Sequence, residues 1–179
     1  NVTEHLIRQS IVQGSAMGVL GAMRCGMLTP EMEEAMPFAS LREAWNAVYE
    51  KAQAGCLFAM NMIGNTYFWL DVVRIEGKGP EDFPSKAAFG QWLRESELKC
   101  LPWFEKAFLG GMGFAGRNMY NLYYDGEEGV MEPDRSKAEA IARLGAEKGY
   151  PDWQERYANF LLEREGRAQE ALDLYFAAA

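Results

Sequence analysis

Small and aromatic residues recur along this chain at the spacing of two-helix repeats, and this recurrence constrains the fold more than any other feature. The positions that begin each copy, Ala16, Ala59, Ala115 and Trp153, are separated by 43, 56 and 38 residues. Known two-helix repeats have periods of roughly 34 to 47 residues, so the first and last spacings lie within this range and the middle one lies beyond it. A single helix pair has too little core of its own, so such copies bury their apolar surface by stacking on one another.

The residues within each copy favour helices joined by short loops. Val and Ile are few, whereas Ala, Leu, Met, Glu, Arg and Lys recur at three- and four-residue spacing. Two apolar stripes fall on single helical faces, namely Ala138, Ile141, Ala142 and Gly145, and then Trp153, Tyr157, Phe160 and Leu161. Segments rich in Gly, Pro and Asp separate such stripes. The sequence therefore predicts an all-α fold.

The spacing predicts one domain over residues 1–179, made of about four two-helix repeats. These repeats cover about 16–55, 56–111, 112–149 and 150–179. In the turn of the third repeat, Gly126 and Gly129 stand where positive φ is easiest for glycine. At the start of the first, Ser15 is a candidate helix cap.

The second repeat is expanded. Lys86 is separated from Trp103 by 17 positions, whereas the matching interval in the third repeat is 4. We expect two helical pieces there, about 86–98 and 102–109, with Pro102 at the start of the later one. The extension carries Phe83, Phe89, Trp92 and Leu93. These residues form either an extra packing layer, which we favour, or a recognition element.

Composition narrows the classes of partner. Apolar residues make up 49% of the 179 residues, which is enough for a folded core. The net charge of −8, without any basic run, argues against binding to nucleic acid. No apolar run approaches the roughly 20 residues that span a bilayer. We therefore expect neither a nucleic-acid partner nor membrane insertion.

Signals of catalysis are weak. His5 is the only histidine and precedes the repeats, in a segment that we expect to be frayed, so neither a histidine-dependent triad nor a histidine-rich metal site is predicted. Residues 111–116 match G-x-G-x-x-G, but they follow a predicted helix instead of a strand. We predict a protein that is not an enzyme, with no catalytic residue, metal or cofactor. A hydrolase is the least favoured alternative.

The three cysteines are Cys25, Cys56 and Cys100. An odd number at irregular spacing excludes a complete internal disulfide framework and a CxxC metal site. We interpret them as buried small apolar side chains. The alternative is that one of them is reactive or paired.

Asparagine recurs six positions after three of the four starting positions, at Asn65, Asn121 and Asn159. The same helical faces carry arginine and aromatic residues, a combination that suits protein recognition. An equally weighted alternative is that these amides hydrogen-bond between adjacent repeats. The predicted partner-binding residues are Asn61, Asn65, Phe68, Arg117, Asn121, Tyr124, Arg156 and Asn159.

From about residue 16 onwards, the chain resembles the Sel-one-like repeats, relatives of the tetratricopeptide repeats. The likeness is strongest between 103 and 153, where the order of the family motif is followed by Ala115, Met119, Tyr123, Gly126, Gly129, Val130, Asp134, Lys137, Ala138 and Gly149. The resemblance implies a right-handed α-solenoid, an α-α superhelix whose first helices line a concave surface. It thereby places the asparagines in a groove.

The resemblance also implies a binding role. Bacterial proteins similar to this chain include adaptors, and periplasmic immunity proteins that inactivate phospholipase effectors of type VI secretion. We expect an immunity or inhibitor protein that neutralises such a lipase in the periplasm, with Phe68, Arg117, Asn121 and Tyr124 as central contacts. The acidic composition is compatible with this role. The alternative is a regulatory or chaperone-like adaptor, in the cytoplasm or periplasm, that binds peptide or protein clients.

Overall fold

The computed structural model describes residues 2–179, and these residues form helices and turns without a β-sheet. The all-α prediction is confirmed. The α-helices are α1 (Val2–Val12), α2 (Ala16–Arg24), α3 (Pro30–Ala35), α4 (Leu41–Gln53), α5 (Leu57–Phe68), α6 (Val72–Glu76), α7 (Lys86–Leu98), α8 (Leu101–Leu109), α9 (Gly116–Asp125), α10 (Arg135–Glu147), α11 (Pro151–Leu162) and α12 (Ala168–Ala178). Short 3-10 turns at Pro80–Asp82 and Gly113–Ala115 precede α7 and α9.

The helices group into two compact units. The N-terminal unit ends at Gly110 and the C-terminal unit begins at Gly111. The spacing places the boundary between the second and third repeats after about residue 111, one residue later than this division.

Several helices begin where side chains cap them. The hydroxyl of Ser15 accepts a hydrogen bond from the amide of Gly18 at 3.0 Å, as predicted. The carboxylate of Asp134 accepts one from Lys137 at 3.0 Å and starts α10 in the same way. At the end of α9, Gly126 has φ of 71°, and a Cβ there would lie 2.7 Å from the carbonyl oxygen of Met131. Only glycine fits this turn without strain.

The core of the N-terminal unit is built where α2, α4, α5 and α8 pack together. Ala59 and Ile63 of α5 are fully buried. The adjacent Gly64 lies directly against the ring of Phe104 in α8, since a Cβ at Gly64 would be 2.6 Å from that ring. A small residue at this position therefore allows the two helices to cross closely.

The expanded repeat divides as predicted, into α7 over residues 86–98 and α8 over residues 101–109. Phe83, Phe89 and Trp92 form a half-buried aromatic cluster with ring centroids 5.2 to 6.0 Å apart. Between α5 and α6 the chain turns sharply at Leu70, whose φ is 58°.

In the C-terminal unit, each of α9, α10 and α11 packs against the next helix along the chain. Trp153 is 2% exposed and lies against Gly145, where a Cβ would be 2.3 Å from the indole ring. The predicted stripes of α10 and α11 thus meet at Gly145 and Trp153, whereas Tyr157 and Leu161 of the second stripe pack with α12. The indole N–H of Trp153 also donates to the carbonyl oxygen of Gly113 at 2.8 Å.

Two sequence-based expectations are wrong. The segment containing His5 is part of α1, which is held in place by the fully buried Ile11, although His5 itself is exposed. Cys25 and Cys56 are exposed, because they cap the ends of α2 and α5 instead of lying on a core face. Cys100 is buried as expected, and burial raises the pKa of its thiol to about 12. All three are free thiols.

Candidate protein-binding groove

The C-terminal unit contains a groove of about 470 Å³ between its first and third helices. It is lined by Tyr120, Asn121, Tyr124, Asp125, Arg156, Asn159, Phe160, Leu162 and Glu163. These residues belong to α9 and α11, with Glu163 capping the end of α11. None of them comes from α10, which connects the two. The helices that begin the predicted third and fourth repeats thus both line this groove.

Aromatic rings form the floor of this groove. Tyr120 is only 6% exposed and stacks on Tyr124 with ring centroids 5.3 Å apart. Phe160 of α11 packs edge-on against Tyr124 at 5.8 Å. Burial raises the pKa of the Tyr120 hydroxyl above its usual value, so this group is protonated at neutral pH. The floor is therefore aromatic and uncharged.

Two arginines lie on these rings. The guanidinium carbon of Arg156 is 4.8 Å from the centroid of Tyr120 and 5.6 Å from that of Trp153. That of Arg135 is 3.6 Å from the centroid of Tyr124. Such cation–π contacts contribute about 0.5–1 kcal/mol at exposed sites and more where they are desolvated. They hold both charged groups in defined positions at the groove.

The asparagines have different surroundings. Asn121 is exposed at the groove. The side-chain oxygen of Asn159 accepts a hydrogen bond from the hydroxyl of Tyr175 in α12 at 2.6 Å. This bond lies within the predicted fourth repeat instead of between adjacent repeats. Asn159 therefore has a structural role in addition to its place at the groove.

Smaller cavities continue the groove at both ends. One of about 230 Å³ shares Arg156 with it and is lined also by Phe114, Arg117 and Asp152. Another of about 370 Å³ shares Phe160 and Glu163 with it and is lined also by Arg135, Ser136, Glu139 and Arg164. We call this continuous surface along α11 the furrow. The 12 residues of α11 correspond to a length of about 18 Å.

The structure gathers five of the eight predicted binding residues along the furrow, namely Arg117, Asn121, Tyr124, Arg156 and Asn159. The other three lie on α5 of the N-terminal unit. There, Phe68 is half-buried and packs against Trp69 and Phe104, with ring centroids 4.9 and 6.2 Å apart. Asn61 and Asn65 are half-buried on the same helix.

Sequence reasoning missed the residues that complete the furrow, namely Tyr120, Asp125, Arg135, Phe160 and Glu163. For some of these residues the sequence contains a pattern from which their place at the groove could have been predicted. Tyr120 stands four residues before Tyr124, and Arg156 stands four before Phe160, so each pair shares a helical face. For Arg135 it contains no such pattern, because its ring partner lies on the preceding helix.

No group of three or more His, Cys, Asp or Glu residues that could hold a metal occurs within residues 2–179. Across the same residues, no helix combines the length and apolar character required to cross a bilayer. Comparisons with protein-family models, with curated proteins and with solved structures found no match to this chain. The chemistry of the furrow is therefore the basis for assigning a function.

Proposed function

We propose that this chain is a non-enzymatic protein-binding module, an α-solenoid of about four two-helix repeats that engages a protein partner through its concave face. The furrow of the C-terminal unit is the observation that carries the proposal. It combines stacked tyrosines and an exposed amide of α9 with Arg156 of α11 and Arg135 at the start of α10. Aromatic and arginine side chains supply most of the binding energy at protein interfaces.

The order within the furrow favours binding. Arg135 and Arg156 are held against tyrosine rings before any partner arrives. Immobilising a long side chain costs about 0.5–1.5 kcal/mol during association, and prior stacking reduces that cost. Tyr124 remains half-exposed between these arginines. A partner therefore meets a surface that is already arranged.

For the identity of the partner we propose a secreted phospholipase-type toxin of bacterial origin, which the chain neutralises in the periplasm as an immunity protein. The support for this is the resemblance of residues 103–153 to the Sel-one-like repeats. In this arrangement the repeat surface covers the mouth of the toxin's active site and excludes substrate. Inhibition requires no chemistry from the chain itself.

A second candidate, the adaptor that binds peptide clients, is favoured by the shape of the furrow. A length of about 18 Å accommodates an extended segment of about five residues. Adaptors of this kind bind several clients through short segments, whereas an immunity protein binds one toxin. The two candidates therefore differ in the number of partners.

The experiment is affinity capture from extracts of the source organism with three versions of the chain. Asn121→Trp fills the groove, and Ala140→Trp adds the same bulk at an exposed position on α10, which contributes nothing to the groove. Circular dichroism verifies that both variants fold. We expect wild type and Ala140→Trp to capture the same partner and Asn121→Trp to lose it.

The captured proteins distinguish the candidates. One dominant lipase whose activity falls on binding supports the immunity function, and several unrelated clients support the adaptor. Equal capture by all three versions would contradict the assignment of the groove. Absence of any specific partner for the wild-type chain would contradict the binding function itself.

A further inference from the structure

Arg156 lacks the ion pair that its own helix offers. Asp152 and Arg156 stand four residues apart on α11, with the acid nearer the N-terminus, which is the favourable order for a helical ion pair. Asp152 instead accepts a hydrogen bond from Arg117 of α9 at 2.5 Å. Among residues 2–179, no carboxylate lies within ion-pair distance of Arg156.

The two rings beside Arg156 accept no N–H···O hydrogen bond from it. A guanidinium carries five N–H donors in its own plane, and ring contacts leave donors for a further partner. The guanidinium also interacts with the hydroxyl of Tyr120. The remaining donors match the two oxygens of a carboxylate, which arginine binds with paired hydrogen bonds.

We propose that Arg156 forms a carboxylate-binding subsite of the furrow and receives an Asp or Glu side chain from the protein partner. This inference rests on the proposed binding function and specifies the chemistry of the segment that is bound. Asp125 and Glu163 place negative charge at the other end of the groove, beside the C-terminal ends of α9 and α11. The acidic side chain of the partner therefore lies toward the N-terminal end of α11.

The net charge of −8 does not prevent this contact. Charges in solvent are largely screened beyond about 8 Å at physiological salt. The local surroundings of Arg156 therefore determine whether a carboxylate binds there. These surroundings are the two rings and the neighbouring ion pair of Arg117 with Asp152.

Arg117 has a positioning role in this arrangement. By binding Asp152, it keeps the carboxylate that stands one helical turn before Arg156 away from that arginine. In Arg117→Met, Asp152 is free to turn toward Arg156 and occupy the subsite from within the same helix. In Arg117→Met/Asp152→Asn, that internal competitor is removed and the subsite is open again.

The experiment uses two blocked six-residue peptides of otherwise identical sequence, one with a central Glu and one with a central Gln. Binding to the full chain is followed by NMR titration at millimolar peptide, through the Nε–H signal of Arg156. We expect the Glu peptide to bind about tenfold more tightly, because hydrogen bonds to charged groups are the stronger ones. We expect this preference to disappear in Arg156→Gln and to weaken as salt increases.

Arg117→Met should bind the Glu peptide several-fold more weakly than wild type, and the double variant should regain most of the affinity. Recovery of affinity in the double variant distinguishes a positioning role of Arg117 from direct contact. If Arg117 touched the peptide, the double variant would still lack that contact and its affinity would stay low. Equal affinity for the two peptides, or binding of neither, would overturn the subsite. An unrecovered double variant would overturn the role given to Arg117.

The captured partner separates this inference from the proposed function. If Asn121→Trp loses the partner while Arg156→Gln keeps wild-type affinity, the binding function stands and the carboxylate subsite is wrong. If neither variant changes capture, the groove is not the binding surface. Loss in both variants, with thermal unfolding unchanged, supports the function and the subsite together.

Discussion

Arginine and aromatic side chains occur in both units of the molecule, but they are used differently. In the N-terminal unit, Arg24, Arg42 and Arg74 each pair with a carboxylate at the surface, and Arg24 also lies over the ring of Trp69. In the C-terminal unit, Arg117 and Arg164 pair in the same way, whereas Arg135 and Arg156 lie on tyrosine rings at the furrow and pair with no carboxylate among residues 2–179. The first arrangement neutralises charge, whereas the second leaves the charge unpaired.

The aromatic residues differ in the same way. In the N-terminal unit, Trp45, Tyr49, Tyr67 and Trp103 form a chain of ring contacts with centroids 5.1 to 6.1 Å apart. These rings pack against the core of that unit. In the C-terminal unit, the rings of Tyr120, Tyr124 and Phe160 border a groove. The rings of the C-terminal unit thus border a groove, whereas these rings of the N-terminal unit pack against a core.

The largest expected effect tests the packing in the N-terminal unit. Phe104 is fully buried against Gly64, so Phe104→Ala removes a large side chain from the crossing of α5 and α8. We expect the free energy of unfolding to fall by about 3–5 kcal/mol. Urea unfolding followed by circular dichroism measures it. The control is Phe176→Ala. Because Phe176 is 78% exposed, this substitution should change the free energy of unfolding by less than about 0.5 kcal/mol.

A smaller effect tests the crossing of α10 and α11 behind the furrow. In Gly145→Ala, the new methyl group collides with the indole of Trp153, and we expect a loss of about 2 kcal/mol. The matched control is Gly21→Ala on α2, where the nearest atom outside that helix is 4.0 Å away. There the same substitution should be neutral or stabilise by about 0.4–1 kcal/mol. Equal effects at the two glycines would show that the crossing at Gly145 is looser than described.

Much of this contrast can be predicted from the sequence. Periodicity gave the helical class, the division of the expanded repeat into α7 and α8, and the apolar stripes of α10 and α11. These features depend on neighbours within one helix or one repeat. The same spacing put Asn121, Tyr124, Arg156 and Asn159 on matching helical faces, and their place in a groove was an implication of the resemblance to Sel-one-like repeats.

The remaining features could not be predicted, because they depend on which of several possible side chains a residue contacts in the folded chain. Arg117 binds Asp152 from 35 residues away, although Asp152 has a nearer arginine on its own helix. Arg135 reaches a tyrosine of the preceding helix. Cys25 and Cys56 are exposed because they lie at helix ends, where core faces were expected. The sequence locates helix ends only to within a residue or two.

The smallest expected effect concerns a carboxyl group of the N-terminal unit. One oxygen of Asp71 is buried without a hydrogen-bond partner among residues 2–179, and burial raises the pKa of this group despite the nearby Arg24 and Arg74. A carboxyl whose pKa is higher in the folded state destabilises the fold when ionised. This destabilisation is present at pH 7, declines as the pH falls through the raised pKa, and is absent below the ordinary value of 3.8.

Asp71→Asn should therefore stabilise the chain at pH 7 by at most about 1 kcal/mol, since the group is partly solvated. The gain should shrink between pH 7 and pH 4.5 in urea unfolding of both proteins. A destabilised variant at pH 7 would show that the ion pair with Arg24 outweighs burial. A gain that does not change with pH would exclude titration of Asp71 as its cause.

The most direct test of the central claim, that the C-terminal furrow binds the partner, is hydrogen exchange of the full chain with and without the captured protein. Exchange reports local opening of each helix, so it compares the two units in one measurement. We predict slower exchange in α9 and α11 and no change in α4. Slowing confined to the N-terminal unit, or no slowing in α9 and α11, would contradict the account.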